Sequence, residues 1–531
     1  MDETYVRMLL DIDEEKQEYA QRLFHCLAFS IRPLLVDELA EILAIRFDSY
    51  SAPNYNTGWR LGDAEEAVLS ACSGLVAVVI VDGSRVVQFS QSSIKEFLTS
   101  EHLATSDDRL SHYHVLPGPG HTIMAKACLS ILLKLDDSAD KKTIEHSPLA
   151  LYAARHWIEH AKFGDVSSHI KDIIFRLFDP DRPHFRAWIW LYDMDRRWEN
   201  HMSTTHPTWP HASSLYYAAL CGFSDLVEHL VRTHPSEINA RGGYHVTPLH
   251  ASLGRGPKIT PRLLREDADV DVRDNYGTTP LRWVSKQSHL KMVHVLVEHG
   301  ADVDSRDHYN CTPLHWAAHQ GHPEVVRFLL GHDVDADARD DDNHSPLHWA
   351  SQRGHLEVVR ALAEHGIDLN ARDSSNWTSL HAASQNGHFE VVQVLLGHGA
   401  DVCASDEGGW TSLQWPSYYG DQEIVRGLLE NGADANTRDN NNWTPLHGAS
   451  QQGHWEVVQI LLEHGADANS RDDSNQTPLD LASRAGHLEL VKLLAESSAN
   501  IARLPGSLHP RTEDCSDTPS SGEMPKFCLI I

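Results

Sequence analysis

From residue 211 to about 502, apolar and polar positions return in one frame with a period close to 33 residues. A tetrapeptide of the T-P-L-H type occupies 247–250, 279–282, 312–315, 345–348, 378–381, 411–414, 444–447 and 477–480, and a worn copy, SSLY, sits at 213–216. Counted from the Pro position, the starts fall at 214, 248, 280, 313, 346, 379, 412, 445 and 478, so the steps are 34, 32 and then six of 33. Thr or Ser before Pro is an N-cap, followed by the one helical position where Pro costs nothing because its missing N–H would be unpaired anyway. Eight residues after the Pro position stands a glycine (Gly222, Gly256, Gly321, Gly354, Gly387, Gly420, Gly453, Gly486), with Ser288 the lone exception. A glycine there can take the left-handed conformation that ends a helix. Segments such as Glu390 to Leu396, apolar at helical spacing, predict a second helix that stops at another glycine: Gly300, Gly366, Gly399, Gly432 or Gly465. Each helix pair is too small to bury its own apolar face, so neighbouring repeats must stack into one core.

This pattern closely resembles the ankyrin-repeat family over roughly 211–502. The resemblance implies a mainly α solenoid of about nine repeats, each a β-turn and two antiparallel helices. It also implies a concave binding face built from hairpin tips and first helices. Read against that face, Trp283, Trp316 and Trp349 follow the tetrad in three successive repeats. Trp377, Trp410 and Trp443 then stand two residues before the Pro position in the next three, and Trp415, Tyr418 and Tyr419 thicken the middle. Tryptophan and tyrosine dominate interface hot spots, so these nine residues are the candidate partner-binding stripe. The competing reading is that the rings pack between adjacent fingers and stiffen the array.

An Arg-Asp ladder runs beside the stripe at Arg273–Asp274, Arg306–Asp307, Arg339–Asp340, Arg372–Asp373, Arg438–Asp439 and Arg471–Asp472, interrupted at Ser405–Asp406. Hairpin geometry is its first expected role and partner choice its second. One repeat breaks the rules: SLQWPSYYG puts Pro416 four residues past the start expected for its helix, where it would cost about 3 kcal/mol. That repeat is the predicted weak link. The last repeat reads as a cap, with Asp480 and Ser498 in place of the usual His and Gly.

Candidate metal chemistry dissolves in the period. His315 and His319 are spaced to hold a zinc on one helix face, but the tetrad histidine recurs in most repeats, and in ankyrin repeats it bonds backbone. A zinc peptidase of the H-E-x-x-H type would need Glu where Trp316 stands. Only His319 falls outside the pattern, its counterparts being Lys286, Gln352, Gln385 and Tyr418. No metal, cofactor or catalytic residue is expected. The sequons at the hairpin tips likewise follow from Asn-rich turns running into the T-P-L-H cap.

Ahead of the repeats the period changes. EEKQEYAQRLFHCLAFSIRPLLVDELAEILAI predicts two helices broken around Ser30 to Pro33, and DAEEAVLSACS a third. LVAVVIV-DGS-RVVQFSQ predicts a β-hairpin on a D-G turn, followed by the helix SSIKEFLTSEHL. Helices followed by a two-stranded wing describe a winged-helix domain at about 20–105, with a helical connector at 106–210. DETYVRMLLDIDEEKQEYAQRLFHCLAFSIRPLLVDELAEI and VVQFSQSSIKEFL resemble the region just after the NACHT domain in fungal NACHT–ankyrin proteins, which are NLR-like STAND proteins. The same winged helix is named after GPI inositol-deacylase, and PLALYAARHWIEHAKFGD resembles the connector that follows it. By this resemblance residues 1–19 are the end of an upstream domain or a linker. The family's phosphate-touching histidine in F-x-H-x-S-x-x-E-F is here Gln91, and the sequence contains no G-x-x-x-x-G-K-[ST].

Charge narrows the partners. Lys+Arg 45 against Asp+Glu 75 gives a net charge of −30, which disfavours nucleic acid and anionic lipid. Winged helices often bind DNA, but residues 1 to 110 carry nine Lys/Arg against nineteen Asp/Glu. Eight scattered cysteines without a C-x-x-C pair suit a reducing, intracellular and cytoplasmic setting. Residues 503–531 turn to Pro- and Ser-rich loop, expected to be disordered, and end in Cys528-Leu529-Ile530-Ile531. That tetrad fits C-a-a-X and makes Cys528 a candidate for prenylation and membrane association, the alternative being an accidental terminus. The leading expectation is a non-catalytic scaffold that binds a protein partner in NLR-like recognition. The alternative is a fragment of a STAND NTPase switch whose P-loop NACHT domain is absent from the chain.

Overall fold

The computed structural model describes residues 2–46, 54–55, 64–72, 74–196, 211–254 and 258–501. The chain is mainly helical and divides into two compact units, Met1–Asp269 and Val270–Ile531. Cys528 and the rest of the tail lie outside the described residues, as do 197–210 of the connector.

The first unit opens with α1 (Asp2–Leu10), α2 (Gln17–Phe29), β1 (Leu34–Leu35), α3 (Val36–Ala44), the short pair β2 (Ile45–Arg46) and β3 (Asn54–Tyr55), α4 (Ala64–Ala71), β4 (Val76–Val81), β5 (Ser84–Phe89) and α5 (Ser92–Leu98). β4 and β5 form the expected wing. Asp82 and Gly83 both take positive φ, 50° and 78°, as a tight hairpin turn of the right twist requires. The break around Ser30 to Pro33 holds more than a turn: β1 pairs with β5, making a sheet of order β1-β5-β4. Leu23, Phe24, Leu39, Ile42, Val87 and Ile94 fill the space beneath it.

Residues 1–19, read as the end of an upstream domain or a linker, include α1, which lies against this domain. Tyr5 is buried, its hydroxyl 2.7 Å from Gln91 Oε1 and 2.8 Å from Ser93 Oγ, with its ring against Phe97. The connector packs on α2 and α3 of the same domain. Buried Glu41 of α3 accepts from Ser147 Oγ and from the Leu149 N–H, both at 2.9 Å, just ahead of the helix Ala150–Ala161. Trp157 and Trp188 are fully buried, and Trp157 stacks on Phe223 while Trp188 meets Tyr217. The connector thus covers the apolar face of the first repeat (Ser214–Cys221 and Ser224–Thr233), which has no earlier neighbour to stack on. The second repeat, Pro248–Ser252 and Ile259–Arg265, completes this unit.

The second unit holds seven helix pairs among its described residues, from Pro280–Lys286 and Leu290–Glu298 to Pro478–Ala485 and Leu488–Ile501. First helices pack on first helices and second on second. Leu281, Leu314, Leu347, Leu380, Leu413 and Leu446 lie in the core with Val293, Val326, Val359, Val392, Val425 and Val458. Gly321 shows why glycine ends the first helix: φ is 73°, and a Cβ there would stand 2.6 Å from the His355 ring of the next repeat. Ser288, the exception, takes φ 60° without being glycine. No described helix is long and apolar enough to cross a membrane.

Candidate partner-binding face

Each finger of the second unit is built on its aspartate. Oδ1 of Asp373 accepts the N–H groups of Ser375 and Trp377, both at 2.8 Å, and Asp307, Asp340 and Asp439 repeat the pattern. This turn sends one residue into the left-handed region. Asn310, Asn343, Asn376, Asn442 and Asn475 hold it with φ between 57° and 64°, which is why the tips are rich in asparagine. The arginines cross to the next repeat: Arg306 Nη1 donates to the Arg339 carbonyl and Arg372 Nη1 to the Ser405 carbonyl, both at 2.8 Å, and Arg273 donates likewise to the Arg306 carbonyl. The ladder is hairpin geometry first, as expected.

The tetrad histidines are engaged at both ring nitrogens. His348 Nδ1 takes the Ser345 N–H at 3.2 Å and its Nε2 donates to the Trp377 carbonyl at 3.1 Å. His315 and His381 do the same toward the His344 and Trp410 carbonyls. Burial lowers the pKa of all three to about 4, against the raising effect of the backbone bond. A neutral imidazole with both nitrogens spent has no lone pair for zinc. Histidines after the glycine serve the same end, His355 donating to the His319 carbonyl at 2.9 Å. Among the described residues no group of three or more His, Cys, Asp or Glu is arranged to hold a metal ion.

All seven stripe tryptophans are half-buried rather than free on a ridge. The indoles of Trp316 and Trp349 donate to Asp307 and Asp340, nine residues back in the same repeat, at 3.1 and 3.0 Å. Those of Trp377 and Trp410 donate to Asp406 and Asp439, 29 residues on, at 3.1 and 3.0 Å. Both placements serve one row of finger carboxylates, the first within a repeat and the second between repeats. This explains how the tryptophan position can shift along the repeat at residue 377.

The stripe resolves into two groups. Trp377, Trp410, Trp415, Tyr418 and Tyr419 are in ring contact, with Trp410–Trp415 at 4.6 Å and Trp415–Tyr419 stacked at 5.7 Å. Trp316 and Trp349 instead meet at His319, 5.8 and 4.7 Å from its ring. Arg282 and Lys286 stand over the Trp316 ring at 4.2 and 4.5 Å. The ring contact of Trp283 is to His289, and that of Trp443 to His447, so neither joins those groups. The most exposed described aromatic residues, Tyr276 at 66% and Tyr309 at 64% in this unit, are finger-tip residues outside the predicted stripe. Their spacing of 33 at the tip was the available signal.

His344 holds the finger position that becomes tryptophan in the next repeats. It lies 3.5 Å from Asp340 and 3.4 Å from Asp373. Burial would lower its pKa, but the two carboxylates prevail and raise it to about 9.

The irregular repeat avoids the proline penalty by starting late. Its first helix is Gln414–Tyr419, so Pro416 falls in the first turn, where no intrahelical N–H bond is lost. Gln414 imitates the tetrad histidine on one side only. Its Oε1 accepts from the N–H and Oγ1 of Thr411, both at 2.6 Å, while its Nε2 is buried without a partner in place of the bond to the next finger.

Comparison with known proteins agrees with this architecture. The family described as "GPI inositol-deacylase, winged helix domain" matches residues 7–109, which include the last four residues of α1. "Azaphilone pigments biosynthesis cluster protein L" of Monascus ruber is 27% identical over 287 residues, 51% of this chain and 60% of that relative. The chain therefore spans less than two thirds of that relative's length. The family described as "Ankyrin repeats (3 copies)" matches residues 215–307, 304–373, 370–439 and 431–503. These matches together cover more than half of the chain, which carries the cap, finger and histidine geometry in the same residues, and the chain belongs to the ankyrin-repeat family.

Proposed function

We propose that this chain is a non-catalytic scaffold that binds a protein partner on the finger and first-helix face of its second unit. The observation that carries the reading is the joined ring cluster of Trp377, Trp410, Trp415, Tyr418 and Tyr419. Two of its indoles are tied to finger carboxylates, and Tyr419 is 49% exposed. Large rings held in place before binding lose little side-chain freedom on association, which is how aromatic anchors contribute most.

The setting we propose is recognition or signalling of the NLR-like kind, inside the cell. It is supported by the resemblance of the amino-terminal 200 residues. Gln91, by that resemblance the counterpart of the phosphate-touching histidine, accepts from the Tyr5 hydroxyl, which suits a chain that does not itself sense nucleotide. The relative's name assigns that protein to a pigment biosynthesis cluster. Intact mass of the natively expressed chain reads whether Cys528 is prenylated.

The test is capture of partners by the full-length chain, compared with a Trp410/Trp415/Tyr419→Ala variant of verified fold and with Trp455→Ala. Trp455 is an exposed ring at the start of a second helix, away from the cluster. A partner lost only in the triple variant is the expected result. Equal retention by all three proteins removes the aromatic cluster from recognition.

A further inference from the structure

His319, the residue that broke the histidine period, stands at the centre of a second feature of this face. It lies between the Trp316 and Trp349 rings, and Arg353 Nη2 approaches its Nε2 at 3.2 Å. Lys286 holds the same place one repeat earlier, with its ammonium 4.5 Å from the Trp316 ring. Arg282 is paired with Asp307 at 2.8 Å. Lys286 and Arg353 have no ion pair with a carboxylate among the described residues. The positions matching Lys286 and Arg353 in the next three repeats are Gln385 and Asn386, Tyr418 and Tyr419, and Gln451 and Gln452. Uncompensated cations are thus gathered on one part of the face, on a chain whose net charge is −30.

The cluster is held at a cost. Burial first, then Arg353, His355 and Lys286, lower the His319 pKa to about 4, and burial with Arg282 lowers that of Lys286. An anion placed here would relieve that repulsion. A polyphosphate would meet the field of the whole acidic chain, whereas a short peptide brings few charges and apolar carbon for the flanking indoles.

We propose that Lys286, His319 and Arg353, set between Trp316 and Trp349, form a carboxylate-accepting subsite for an acidic segment of the partner protein. The inference rests on the scaffold reading above and names the chemistry of the partner. The aromatic cluster of the later repeats would take the adjoining apolar part of that segment.

The probe is a fluorescein-labelled peptide of alternating Glu and Leu, titrated with the full-length chain at low salt and read by anisotropy. The same peptide with Gln for Glu and a short oligothymidylate serve as comparisons. Saturable binding of the Glu peptide is expected, weakened roughly tenfold or more by Lys286→Gln/Arg353→Gln and unchanged by Arg484→Gln on the last repeat. Lys286→Glu/Arg353→Glu should instead bind an alternating Lys-Leu peptide more tightly than the parent does. Denaturant midpoints confirm that each variant is folded.

No binding of the Glu peptide, equal binding by the Gln variant or the Gln peptide, or preferential binding of oligothymidylate each overturns the inference. If the Glu peptide fails while partner capture still depends on Trp410, Trp415 and Tyr419, only the acidic-segment inference falls. If the Glu peptide binds through Lys286 and Arg353 while capture ignores the aromatic variant, the aromatic reading falls and the subsite stands.

Discussion

His315, His348 and His381 are 1%, 2% and 0% exposed, and each is kept neutral by burial, with both ring nitrogens hydrogen-bonded inside the stack. Their folded pKa of about 4 lies below the roughly 6.5 of an unfolded histidine, so the unfolded chain binds protons first on acidification. Their contribution is complete above pH ~6.5 and is lost as pH falls toward 4. His344 has the opposite sign. Its folded pKa of about 9 makes its contribution complete below pH ~6.5 and lost as pH rises through 9. Urea midpoints should therefore peak between these limbs. His344→Gln should flatten the alkaline limb and leave the acid limb in place; a midpoint that rises from pH 7 to pH 5 would contradict this assignment. The histidine period was legible in the sequence because it follows from one geometry copied many times. His344 was not, because its two carboxylates come from neighbouring fingers 33 residues apart.

At the scale of elements, the irregular repeat offers the clearest test. Every neighbour from Pro313 onward carries Ala where Pro416 stands (Ala317, Ala350, Ala383, Ala449, Ala482), and most carry His where Gln414 stands. Gln414→His with Pro416→Ala should let the helix extend back toward Ser412 and restore the bond to the next finger. We expect a gain of about 1–3 kcal/mol, with new exchange protection at the residue 416 amide. A lower denaturant midpoint for the double variant would show that the late-starting helix is the better packed one. The sequence located this repeat but set Pro416 four residues past the helix start, whereas the helix begins at Gln414 and holds Pro416 in its first turn, because where a helix begins depends on what its neighbours can bury. β1 was missed for a related reason. Two residues carry no periodicity, and only pairing with β5 makes Leu34–Leu35 a strand.

Across the whole molecule, charge sets the expectation for partners. α4 carries Glu65 and Glu66 in its first turn and no Lys or Arg, so the helix that would face DNA in a winged-helix reader presents acid. We predict no mobility shift of duplex DNA with the full-length chain at physiological salt; a salt-sensitive shift would require a basic surface that these residues do not form. The repeat number, the caps, the glycine and asparagine turns, the wing and the net charge were all determined by the sequence alone. Each is a local rule of backbone conformation or a sum over residues, and repetition makes such rules visible. Tertiary structure decided that the aromatic stripe is half-buried, divided in two and tied to finger aspartates. It also placed α1 on α5, and gathered the unpaired cations around His319. Those outcomes depend on which side chains meet across repeats or across distant segments, and the distance in space between two such groups is not written in their distance along the chain.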